Sequence, residues 1–94
     1  MQTFGREEQI DVLKLLIRQD WKHALANGRL LDWLSAQVER RKQSSPSSER
    51  DEDLDAFDAL QCLVQQKFNR HMEDIDRNDA ILKEMERERV HGKT

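Results

Sequence analysis

Ninety-four residues with a net charge of −3, 37% of them charged and 36% hydrophobic, make one domain at most. A chain this short buries too little surface to be more than marginally stable without oligomerisation or a partner. The single cysteine, Cys62, excludes an intramolecular disulfide and leaves a cysteine-based metal site short of ligands, which fits a reducing compartment and a cytoplasmic location.

No basic segment followed by an apolar one opens the chain, and no uninterrupted apolar run is longer than Leu15 to Ile17, so neither export nor membrane spanning is indicated. Charge is uneven. Residues 1–48 hold eight Lys and Arg against six Asp and Glu, and residues 49–94 hold eight against thirteen. Complementary halves of this kind favour antiparallel association.

Taken in order, Thr3 is placed to cap a first helix over about 6–26, with Glu7 and Glu8 early in it. Ile10, Leu13, Leu16, Ile17, Trp21, Ala24 and Leu25 share one face, which Val12 and Leu15 broaden. Asn27-Gly28 is the strongest punctuation in this half, since both residues tolerate the left-handed conformation that ends helices. The first helix is therefore expected to stop there. Leu30, Leu31, Trp33, Leu34 and Val38 then define a second, shorter helix over about 29–43, with Arg40, Arg41 and Lys42 suited to its C-terminal end.

The segment from Gln43 to Arg50, with four serines and one proline, is the one low-complexity piece and favours capping and turns. Ser45 as N-cap and Pro46 as first helical residue, after a linker at 44–45, predict a long helix over about 46–89. In it Leu54, Phe57, Gln61, Val64, Phe68, His71 or Met72, Ile75, Leu82 and Met85 recur at steps of three, four or seven, with no Gly or Pro before Gly92. Such a helix would extend roughly 65 Å, too far for one small core to cover. Arg77-Asn78-Asp79 interrupts the stripe with polar residues, but without a helix breaker the helix is expected to continue through it. The tail from His91 to Thr94 is expected to fray.

The fold expected is all-α: two shorter N-terminal helices packed on one long C-terminal helix, forming a dimeric helical bundle. Phe57, Val64, Phe68, Met72, Ile75, Leu82 and Met85 are the expected self-association residues. Polar residues at several seam positions would specify register at some cost in stability.

Little in the chain suggests chemistry. No glycine stands in a phosphate-cradling pattern, and Gly92-Lys93-Thr94 lacks the upstream glycine, strand and helix of a phosphate loop. Cys62, in the run Leu60, Leu63, Val64, reads as a small core residue without the nearby positive charge a reactive thiolate needs. Asp74, Asp76 and Asn78 match the first three alternating ligands of a calcium loop, but Asp79 stands where it needs glycine and Met85 where it needs glutamate. Asp20 and His23, at i and i+3, read as polar residues beside a packed Trp21, and His71 as a partly buried residue that sets register. No cofactor or metal is expected.

Arg40-Arg41-Lys42 is the only basic cluster, and the acidic balance around it disfavours nucleic acid as a partner. A phosphate on Ser44, Ser45 or Ser48 would sit favourably at the start of the long helix. Trp21 and Trp33 stand on consecutive expected helices around a tight turn. With Leu25, Leu30 and Leu34 they form a corner expected to dock a protein partner. The function expected is a non-enzymatic interaction module: an adaptor, co-chaperone or regulator that homodimerises and binds another protein. The alternatives are a nucleic-acid-associated or nucleic-acid-mimicking regulator, and a helical-bundle carrier of a metal or small ligand.

Overall fold

The computed structural model describes residues 5–91 and, of their side chains, those up to Glu88. Thr3 and the segment Gly92 to Thr94 lie outside the described residues. Two long helices account for nearly all of the chain: α1, Arg6–Lys42, and α2, Ser48–His91. They run antiparallel as a hairpin whose principal extents are 71 × 28 × 14 Å, a single layer of two helices side by side.

The expectation of three helices is corrected here. The two N-terminal helices expected over about 6–26 and 29–43 are one, passing through Asn27-Gly28 without a break and with no positive φ among the described residues. The reason lies in packing. Ile10, Leu13, Ile17, Asp20, Ala24, Asn27, Leu31, Leu34, Val38 and Arg41 follow one another at alternating steps of three and four, and every one is buried or half-buried. A glycine inside a helix costs about 1 kcal/mol relative to alanine. Burial of Leu34 alone, about 1.5–3 kcal/mol for a leucine side chain, outweighs that cost, and Ala24 is buried on the other side of it.

Helix α2 carries the matching stripe. Leu54, Phe57, Gln61, Val64, Phe68, His71, Ile75, Asn78, Leu82 and Met85 keep the same alternation, again all buried or half-buried. The two stripes close on each other, with Ile10, Ala24 and Leu34 of α1 and Val64 and Ile75 of α2 fully enclosed. The alternation is that of the first and fourth positions of a heptad, the pattern of a coiled-coil seam. The helix continues through Arg77-Asn78-Asp79. There Arg77 pairs with Asp74 at 3.6 Å and Lys83 with Asp79 at 2.8 Å, both along the helix surface.

The turn spans 43–47, and α2 starts later than the serines suggest. Ser47, not Ser45, is the cap: its Oγ accepts the Arg50 backbone N–H at 3.0 Å, and the Asp51 N–H reaches the Ser47 carbonyl at 3.1 Å. At the other side of the turn the Ser44 hydroxyl donates to the Arg41 carbonyl at 2.6 Å, and the Arg50 guanidinium reaches back to the Ser44 carbonyl at 3.0 Å. Arg50 thus ties the end of α1 to the start of α2.

Candidate interaction surfaces

The seam is interrupted by polar layers that fix which residue meets which. Near its middle His71 Nδ1 lies 3.1 Å from Asp20 Oδ1, and the His23 ring stacks on His71 with centroids 5.2 Å apart and planes 16° apart. Nearer the turn Gln61 donates to Ser35 Oγ at 3.1 Å. At the turn end Trp33 meets Phe57 edge-on with centroids 6.3 Å apart, and the Arg41 guanidinium lies over the same ring, 4.4 Å from its centroid, while pairing with Asp53 at 3.4 Å. At the open end Arg6 pairs with Glu88, and Lys14 stands 4.0 Å from Glu86.

Asp20, His23 and His71, which the sequence offered as separate features, are therefore one cluster. Its contacts are those of a register-setting layer. Among the described residues no group of three or more His, Cys, Asp or Glu is arranged to hold a metal ion. Asp74 and Asp76 lie on a continuous helix rather than a loop, and Asp74 is engaged by Arg77. Cys62 corrects a further expectation: it is exposed, because it follows the seam residue Gln61 and so stands at the edge of the seam, lining a shallow groove with Leu31 and Ser35 of α1 and Gln65 of α2. Of the basic cluster, Arg41 is taken up by Phe57, Asp53 and Gln37.

The unbroken α1 also dissolves the expected tryptophan corner. Leu34 is in the seam and buried. Trp21 and Leu30 leave the helix on opposite sides of that seam, with Leu25 beside the first and Trp33 beside the second, because nine residues of helix separate Trp21 from Leu30. All four are exposed. The residues expected to self-associate, Phe57, Val64, Phe68, Met72, Ile75, Leu82 and Met85, line the edge of α2 that α1 covers, and are buried or half-buried in the single hairpin.

One layer of helices has two broad sides, and they differ. In an antiparallel pair the residues following the fourth heptad position of each helix share one side, and those preceding the first share the other. On the first side Trp21, Leu25 and Gly28 of α1 and Phe68 and Met72 of α2 line an apolar notch of about 390 Å³, rimmed by Arg29 and Asp32. A Cβ added to Gly28 would meet only the Phe68 ring edge, at 3.9 Å, an ordinary contact. Neither backbone conformation nor crowding requires a glycine there, and its missing side chain is what leaves the notch open.

On the second side α1 presents Gln9, Val12, Leu16, Gln19, His23, Ala26, Leu30, Trp33 and Gln37, uncharged until Arg40 near the turn, in a chain that is 37% charged. From α2 the same side presents Leu60, Leu63 and Ile81 together with Lys67, Arg70, Asp74 and Arg77. Val12, Leu16, Leu30, Trp33, Leu60, Leu63 and Ile81 are all exposed, which is most of the exposed large apolar side chains of the hairpin. No described helix is long and apolar enough to cross a membrane. No protein-family model matches the chain, and no curated protein and no solved structure matches it.

Proposed function

We propose that the chain is a non-enzymatic cytoplasmic adaptor, co-chaperone or regulator that works by holding another protein, whose apolar side chain enters the notch between Trp21 and Phe68. The observation that carries this reading is Gly28. A glycine in mid-helix costs stability, nothing in the backbone or the neighbouring helix asks for it, and it floors the notch. Around it stand Trp21 and Met72, residue types that dominate binding energy when a partner desolvates them. Arg29 and Asp32 at the rim give a docking helix a charged residue of either sign to meet. Exposed apolar side chains on both sides of a thin hairpin support association in general, since monomers rarely display contiguous apolar surface of this extent.

The test is a plug. Gly28→Leu fills the notch without disturbing the seam and raises helix propensity, so the variant melts at or above the wild-type temperature. A photo-crosslinker placed at Leu25 captures the partner from the native cell extract, and the plugged chain loses that capture. Capture that survives the plug unchanged overturns the reading.

A further inference from the structure

The second broad side carries, on α1, a row that reads the same in both directions. Along α1 the residues lying closest to α2 on that side are Gln9, Leu16, His23, Leu30 and Gln37, a palindrome centred on His23. One row further out stand Val12, Gln19, Ala26 and Trp33, which pair outermost with outermost about almost the same level. On α2 the equivalent row is Leu60, Lys67, Asp74 and Ile81: apolar, basic, acidic, apolar, centred between Arg70 and His71. The two centres are at one height on the hairpin, because His23 stacks on His71.

Self-complementarity about a common level is what a twofold axis demands of a surface, since residue i must suit residue j while j suits i. We propose that a second copy of this chain stacks on this side, α1 on α1 and α2 on α2, antiparallel across a twofold axis level with His23 and His71. Leu16 of each copy then meets Leu30 of the other, Val12 meets Trp33, and Leu60 meets Ile81. Lys67 of each meets Asp74 of the other, which Arg77 of its own chain already approaches to 3.6 Å, placing two ion pairs beside the apolar rows. Asp53 and Glu88, which this register brings near each other at the ends, already hold Arg41 and Arg6 within their own chain. Arg70 and Arg77 lie one row out, where long side chains reach water.

The opposite stacking, α1 of one copy on α2 of the other, sets Lys67 across Ala26 and Asp74 across Gln19, which leaves both charges covered without a partner of opposite sign. There is also surface for a second copy to cover. The chain exposes 7512 Å², against about 5,700 Å² for a compact monomer of its mass, and a standard interface takes about 800 Å² from each partner.

This pairing rests on the reading of the chain as an interaction module but uses the side away from the notch, so the two are tested apart. Sedimentation equilibrium of the full chain is expected to give twice its 11.2 kDa mass. Leu30→Lys raises the dissociation constant at least about a hundredfold while the helical spectrum is kept, and adding Leu16→Glu to the same chain restores pairing, since each new charge meets its opposite. In a Cys62→Ser background, chains carrying Leu16→Cys and Leu30→Cys form a disulfide when mixed but not separately, like positions being about 21 Å apart. A monomer at every concentration, a dimer indifferent to Leu30→Lys, or Leu16→Cys cross-linking to itself overturns the proposal. So does a dimer lost on Gly28→Leu, which would place self-association at the notch; loss of partner capture alone leaves the dimer measurement standing.

Discussion

The hydroxyl of Ser47 decides where α2 begins, in a segment where several serines could have done so. It does so because it is the one whose Oγ meets the N–H of the third helical residue. Ser47→Ala is expected to lower stability by about 1 kcal/mol, while Ser45→Ala leaves the urea midpoint unchanged; equal midpoints for both would remove Ser47 from the cap. The Asp20 carboxylate has a comparable local role. With Asp20→Ala, half-buried His71 loses its partner, and the expected loss is about 1–2 kcal/mol in the same measurement. A wild-type midpoint for that variant would show that the bond contributes nothing. Lys83 illustrates the weaker kind of contact: the hydrogen bond it donates to Asp79, with that carboxylate's charge, raises its pKa above the usual lysine value. The pair's support is therefore present at neutral pH and fades as pH climbs through the lysine range, and full exposure keeps it small.

At the scale of the helix, Gly28 separates local propensity from packing. If the chain ended a helix at Asn27-Gly28, alanine at 28 would be strained and destabilising. In a continuous α1 it is expected to stabilise the hairpin, by up to about 1 kcal/mol, because it adds helix propensity and meets the Phe68 ring at ordinary contact distance. Thermal melting of Gly28→Ala decides between the two, and a lower melting temperature would argue against an unbroken α1. The stripe on α2 was legible in the sequence because its alternation runs from Leu54 to Met85 with no glycine or proline to break it. On α1 the same alternation was hidden by additional apolar residues, Leu16, Trp21, Leu25, Leu30 and Trp33, which belong to the broad sides and made two short faces look plausible. Nor does a stripe say what covers it: Phe68 and Ile75 would read the same whether α1 or a second chain lay against them. The grouping of Asp20 and His23 with His71 was invisible for the same reason, since it depends on the antiparallel register.

The whole molecule is long and thin for its size, with a Cα radius of gyration of 20.7 Å against about 12 Å for a compact domain of this length. Its seam is one side chain deep and several of its layers are polar, so a single hairpin encloses only five hydrophobic residues fully among those described. Such a layer gains from anything that covers a broad side, and if the cover is a second copy, stability is linked to concentration. A hundredfold increase in concentration is worth about 2.7 kcal/mol of binding free energy per dimer, which for a chain this size moves the melting temperature by several degrees. Wild-type protein is therefore expected to melt higher as it is concentrated. Leu30→Lys should melt lower and at one temperature throughout, because the lysine stands in the uncharged row that the second copy would cover and leaves the seam untouched. Parallel curves for the two proteins would mean that the hairpin's stability is its own, and that its apolar sides are kept for other partners.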